Sequence, residues 1–395
     1  MDLVQSLATW LAQFPGGDTA FTVLVFVVVL GVLVFVHEYG HYAAARSVGV
    51  YVQEFAVGFG PAVARWRAKN GTNWKVGIIP LGGYVQMKGQ VDGEVIKASA
   101  EPDSFAAKTL WQRAWIVSAG PLANFVLALA VYTGLMLHGE EVLLPVVGSF
   151  HEEVKVAQNA GMQVGDVIQV VNAAPIESWD DLVTEIAKTG GADIELVVKR
   201  AEQILPILVT PQTHTYTDLL GDVQVRPLIG IQPDYSQVMT KTYSPVAAMQ
   251  RGAERTWEVV ALTYYSLYKL IVGAVSADNI AGPLGIADLA SQSAQNGTYA
   301  LLVFLAIISV NLGVINLLPV PILDGGHLVF FAIEGLKGSP VSEKAQEWSL
   351  KTGFALIICL FLFATSNDIK RQGWLEKMPW STPVENKVDV APVTP

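Results

Sequence analysis

Apolar residues run without a charge from Ala20 to Val36, and the helical pattern continues through His37-Glu38-Tyr39-Gly40-His41 to Arg46. A run of this length predicts a membrane-spanning helix. Ala114 to Leu137, Tyr299 to Leu318 and about Trp348 to Ser366 read the same way. Ahead of the first span, Leu3, Leu7, Trp10, Leu11 and Phe14 fall at helical spacing in a segment without Lys or Arg, which predicts a short interfacial helix. Residues 254–275 are amphipathic, with Trp257, Tyr264, Tyr265 and Tyr268 set among Glu254, Arg255, Glu258 and Lys269, and fit either a span or an interfacial helix.

Between the first two spans the pattern changes to strands. Ala62 to Arg67 and Thr72 to Ile79 flank Asn70-Gly71, a hairpin signal. Glycines are dense at Gly58-Phe59-Gly60-Pro61 and Gly82-Gly83-Tyr84, so this is either an ordinary cytoplasmic β-loop or a β element folded back toward the first span. Residues 145–211 read as a small soluble domain. Its expected strands are Val146-Val147, Val167 to Val171, Ile194 to Val198 and Ile204 to Val209. Its helix is capped at Ser178-Trp179-Asp180-Asp181, runs to about Lys188 and ends at Gly190-Gly191. The tail from Glu376, rich in Pro, Val and charge, is expected to be disordered.

Composition agrees with this pattern. The 395 residues are 52% hydrophobic and only 15% charged, too apolar for an ordinary soluble enzyme. The single cysteine, Cys359, excludes an internal disulfide framework and is expected to be a buried small hydrophobe. No basic segment precedes the first apolar run, so it does not read as a cleavable signal peptide. The net charge of −10 is uneven: residues 139–253 hold seven Lys/Arg against fifteen Asp/Glu, whereas 46–113 hold nine against five. The positive-inside rule therefore places 46–113 in the cytoplasm and the N-terminus outside. Nothing in the pattern points to nucleic acid.

The chemistry lies at the end of the first span. His37 and His41 are four residues apart on one helix face and can share a zinc ion, with Glu38 beside them as general base on a metal-activated water. Ionisable residues inside a span are costly and mark function. A catalytic zinc needs a third protein ligand. Asp324 is the best candidate, in the run from Asn316 to His327 where Pro319 and Pro321 break the helix, and His327 is the competitor. If Asp324 shares the site, it emerges on the cytoplasmic face. That forbids a fifth span and lays 256–275 on the outer membrane surface. Asn124, in Gly120-Pro121-Leu122-Ala123-Asn124, serves either interhelical hydrogen bonding or ordering of the site. His151-Glu152-Glu153 begins like a zinc motif, but Lys155 stands where the second histidine belongs.

Residues 159–168, followed by Val171-Asn172, resemble the PDZ signature, and PDZ domains bind extended peptides by strand addition. Together with the HExxH run, Gly120-Pro121-x-x-Asn124 and Asn316-x-x-Pro319-x-Pro321-x-Leu323-Asp324-Gly325, this resembles the bacterial site-2 protease family, its RseP/RasP branch, over about residues 20–366. The resemblance implies four spans with both termini outside. It implies an inner-membrane zinc protease that cuts a single-span membrane protein already trimmed by another protease, often an anti-sigma factor. By the same resemblance His37, His41 and Asp324 bind one zinc ion and Glu38 is the base. Asn316 and Asn124 would meet the substrate, the β region with Gly58, Gly60, Gly82 and Tyr84 would clamp it unwound, and the PDZ-like domain would exclude untrimmed substrates by size. Enterobacterial members carry two tandem PDZ domains, and residues 145–235 have room for one.

The organisation expected is a polytopic α-helical membrane protein with four transmembrane helices, a membrane-associated β-hairpin region and an inserted small α/β PDZ-like domain. Its parts are an extracytoplasmic segment over 1–19, a first span over 20–46, a cytoplasmic loop with the β region over 47–113 and a second span over 114–138. The PDZ-like domain follows over 139–235, then an extracytoplasmic linker with an interfacial helix over 236–298 and a third span over 299–318. The loop bearing Asp324 occupies 319–347, the fourth span 348–366 and the tail 367–395. A membrane zinc transporter would instead predict carboxylates on several spans and an internal repeat, whereas the spans around Asn124 and Asn311 supply amides only. A PDZ-bearing scaffold with a dead site would predict a disrupted motif, yet Glu38 is in place.

Overall fold

The structure, a computed structural model, describes residues 3–89, 101–217, 221–276 and 280–371. The tail predicted to be disordered lies outside the described residues. The chain divides into two compact units, one of Met1–Ala128 with Ser276–Pro395, the other Leu129–Val275.

In the first unit, α1 (Leu3–Leu11) precedes α2 (Gly17–Ser47), the helix that carries the HExxH motif. Its 31 residues, at about 1.5 Å each, are more than enough to cross the bilayer core. Phe21, Val25, Val29 and Leu33 recur at four-residue spacing and are buried, while Val23, Leu24, Val28 and Val32 face outward. Two long strands follow, β1 (Val52–Arg67) and β2 (Asn73–Met87), paired antiparallel around the expected Asn70-Gly71 turn but longer than the sequence pattern defines. Both bend, so run 54–57 faces 83–86 on one side and 73–76 on the other, and 73–76 also faces 64–67. Among the described residues, 83–86 has a strand partner on one edge only. Then α3 (Leu110–His138) packs closely against α2 at two glycines. A Cβ on Gly40 would lie 2.3 Å from the Ala119 carbonyl oxygen, and one on Gly120 would lie 2.2 Å from the His41 ring.

The second unit contains β3 (Glu140–Leu143), β4 (Val147–Phe150), α4 (Val156–Asn159), β5 (Val167–Val171), β6 (Ala174–Pro175), α5 (Trp179–Lys188), β7 (Ile194–Arg200), β8 (Gln203–Val209), β9 (Gln212–Thr217), β10 (Val223–Leu228), β11 (Ile231–Pro233), β12 (Val238–Lys241) and α6 (Pro245–Ile271). A four-stranded sheet in the order β6-β5-β7-β8 and the apolar face of α5 enclose Ile168, Leu182, Ile194, Leu196 and Val198. The capping box at Ser178 forms as the sequence predicts, with Asp181 as its reciprocal partner. The β9–β10 hairpin and the β4–β11 and β3–β12 pairs go beyond the strands the sequence pattern defined. Helix α6 starts eleven residues before the expected 256.

Back in the first unit, α7 (Pro283–Gln295) lays Ala290 and Ala294 against Phe21, Val25 and Val29 of α2. Next come α8 (Thr298–Asn316), α9 (Asp324–Lys337) and α10 (Glu343–Arg371). Among the described residues, four helices are long and apolar enough to cross a membrane: α2, α3, α8 and α10. The 27-residue α6 is not among them. A second core of Ala44, Ala45, Val50, Val52, Phe105, Ile116 and Phe331 ties β1, α3 and α9 to the end of α2. Arg113 pairs with Glu334 through two hydrogen bonds, of 3.2 and 2.5 Å, and stacks over Phe331 at 5.1 Å. Cys359 corrects one expectation: it is exposed, on an apolar helix of which little is covered by protein.

Candidate metal centre

Helical spacing alone brings His37 and His41 together, with ring centroids 4.8 Å apart. Asp324 reaches them from the first turn of α9. Two glycines make this approach possible, because a Cβ at Gly325 would lie 2.2 Å from the Leu318 carbonyl oxygen and one at Gly326 2.4 Å from that of Val320. The Nε2 atoms of the two histidines are 3.2 Å apart, and Asp324 Oδ2 lies 3.3 Å from the first and 3.5 Å from the second. His327, the competing ligand, is not part of this group.

The donor set fits zinc. A tetrahedral ion with bonds of about 2.0–2.1 Å has ligand–ligand edges of about 3.3–3.4 Å, close to each side of this triangle. The chemistry agrees with the geometry. His41 Nδ1 lies 2.9 Å from the Ile116 carbonyl oxygen, which only accepts, so Nε2 presents a lone pair toward Asp324. Asp324 Oδ2 is buried without a hydrogen-bond partner. These three donor atoms could hold a metal ion between them.

A cavity of about 280 Å³ opens on the triangle, lined by Glu38, residues 83–87 of β2, Asn316 and His327 as well as the three candidate ligands. The hairpin comes close: a Cβ on Gly83 would lie 2.9 Å from Glu38 Cγ. Tyr84 lines the cavity with its hydroxyl donating to Glu54 Oε1 at 2.5 Å. Gly58, Gly60 and Gly82 do not line it; they take positive φ of 85°, 82° and 84° where the two strands bend. Asn124 does not line the cavity, where a substrate contact would stand, but lies where it could order the site. It is fully buried, and its amide reaches His37 Nδ1 at 3.2 Å, behind the candidate ligand. Burial holds the half-buried His327 imidazole below its ordinary range against the pull of Asp324. Sequence reasoning missed the Ile116 carbonyl, since a backbone acceptor carries no residue signature, and missed His327 as a cavity wall.

The pattern of Peptidase family M50 matches residues 25–360. A Rhizobium meliloti protein that carries the name zinc metalloprotease is 37% identical over 367 residues, covering 90% of this chain and 97% of the relative. Protease RseP of Yersinia pestis is 32% identical over 442 positions, covering 88% of this chain and 98% of the relative. Regulator of sigma-E protease RseP of Salmonella typhimurium is 31% identical with the same coverage. The two RseP relatives align over more positions than this chain has residues, so they contain about 90 residues without a counterpart here, the size of one small domain. The match spans α2 to α10 and every residue around the cavity. The chain belongs to peptidase family M50 and is a zinc metalloendopeptidase of the site-2 type.

Proposed function

We propose that His37, His41 and Asp324 hold the zinc ion, that Glu38 is the general base, and that the enzyme makes the second cut in a single-span membrane protein already trimmed by another protease. An anti-sigma factor fits this substrate class. The observation that carries the reading is the near-equilateral triangle of donor atoms beside Glu38, in a cavity walled by a strand edge without a partner among the described residues. Bound zinc supplies a Lewis acid that polarises the scissile carbonyl and acidifies water. Glu38 takes the proton of the attacking water as oxygen bonds to the carbonyl carbon. It delivers that proton to the amide nitrogen as the C–N bond breaks. The peptide must be unwound first, and pairing along 83–86 replaces its lost backbone hydrogen bonds. Asn316 contributes a further polar contact to the substrate backbone.

On this reading the enzyme sits in the inner membrane with both termini outside. Residues 139–235 form a PDZ-like domain on that side, and its single copy filters substrates by size. Helix α6 lies on the outer surface: its aromatic face with Trp257 and Tyr268 suits an interface, and its charges oppose burial.

The test is cleavage of a tagged, pre-trimmed single-span substrate in membranes by wild type and Glu38→Gln. The variant should retain zinc and lose about 10²- to 10⁴-fold in rate. Equal cleavage by both proteins would refute the assignment.

A further inference from the structure

The two histidines differ in what stands behind them. His41 Nδ1 faces the Ile116 carbonyl oxygen at 2.9 Å, which fixes its proton on Nδ1 and frees Nε2. His37 Nδ1 faces a side-chain amide, Asn124 Nδ2, at 3.2 Å. Asn124 is fully buried, and its Oδ1 has no hydrogen-bond partner. An NH2 donating to Nδ1 leaves the ring proton on Nε2, the nitrogen directed at Asp324. In that tautomer Nε2 has no lone pair to offer, and His37 cannot ligate a metal through it. A half-turn of the amide about its last torsion exchanges oxygen and nitrogen in nearly the same volume. The oxygen then accepts from Nδ1–H, and Nε2 is free. The backbone beneath is anchored, since Ser309 Oγ on α8 donates to the Asn124 carbonyl oxygen at 2.8 Å.

We infer that Asn124 is a positioning residue that selects the tautomer of His37, turning its amide oxygen to Nδ1 when His37 takes the metal. A backbone carbonyl holds His41 permanently in its ligating form, whereas a rotatable amide gives His37 two states. This rests on His37 being a ligand, as proposed above. It assigns Asn124 to the metal's outer shell and not to the substrate.

The experiment is zinc affinity by chelator competition, on the full chain in detergent, for wild type, Asn124→Leu, Asn124→Asp and His37→Ala. Asn124→Leu removes the acceptor and should weaken zinc binding about 10- to 100-fold, the usual effect of losing an outer-shell partner. Asn124→Asp keeps an acceptor and has no donor, so it should bind zinc at least as tightly as wild type. It also keeps the test decisive if the leucine variant misfolds. Wild-type affinity in Asn124→Leu, or an Asn124→Asp variant weakened like Asn124→Leu, overturns the inference. Undiminished zinc binding by His37→Ala would overturn the ligand set itself, which separates the two failures.

Discussion

Asp166 and Asp324 are both carboxylates withdrawn from solvent, and they are treated in opposite ways. Asp166, in the second unit, is fully buried and saturated. Arg200 donates to its two oxygens at 2.7 and 2.8 Å, and the Gln163 N–H donates to Oδ2 at 2.8 Å. Asp368, on α10, is similarly occupied, accepting the backbone N–H groups of Gly282 and Gly285 at 2.9 Å each. Asp324 has one oxygen buried with no donor, facing two imidazole nitrogens. A saturated buried carboxylate fixes a fold; an unsaturated one is costly unless a cation completes it. The difference supports the proposed role of Asp324, alone of the three, as a metal ligand.

The largest expected effect follows from that reservation. Asp324→Ala should leave the protein without stoichiometric zinc and lower cleavage by more than about a thousandfold, because polarisation of the carbonyl is lost with the ion. Zinc at a thousandfold excess over its dissociation constant should stabilise the wild type by about 4 kcal/mol. Thermal melts with and without chelator should therefore differ for wild type and coincide for the variant. A variant that keeps its zinc and its chelator response would place Asp324 with the structural carboxylates.

Asp166→Ala sharpens the other side of the comparison. Losing the hydrogen bonds from Arg200 and the Gln163 N–H should appear as faster hydrogen exchange within 129–275 while zinc content stays at the wild-type level. Unchanged exchange would show that Arg200, with 29% of its side chain exposed, simply returns to water without cost.

The features legible in the sequence were those set by local spacing. The i,i+4 histidines, the capping box at Ser178, the turn at Asn70-Gly71 and the strands at 167–171 and 204–209 each follow from a few neighbouring residues. What escaped was set by tertiary approach. Helix α7 was hidden because its buried face is Ala290, Ser291 and Ala294, residues too small to raise an apolar signal. Gly325-Gly326 reads as a turn, and in the fold it opens a helix, since only residues without Cβ fit against the carbonyls of Leu318 and Val320. Asn124 reads as helix–helix glue or as a residue that orders the site, without revealing which group it meets, because its neighbour His37 lies 87 positions away. Residues at the bends of β1 and β2 announced themselves as glycine-rich without revealing which strand edge would line the cavity.

The smallest expected effect is a pH dependence that belongs to Asp166. Burial pushes its carboxyl up, but hydrogen bonds from Arg200 and the Gln163 N–H, together with the Arg200 charge, outweigh burial and hold it below the ordinary value. An unfolded chain titrates this group near 3.9, so the unfolded state takes up the proton first as pH falls. The contribution of Asp166 to stability is then fully present above that value and disappears as pH drops through the lower folded value. Asp166→Asn removes the titrating group while keeping the shape. The stability gap between wild type and Asp166→Asn should be constant above about pH 5 and close progressively below pH 4. A gap that persists to pH 2 would mean that asparagine fails by shape and that the charge of Asp166 contributes nothing to its pairing with Arg200.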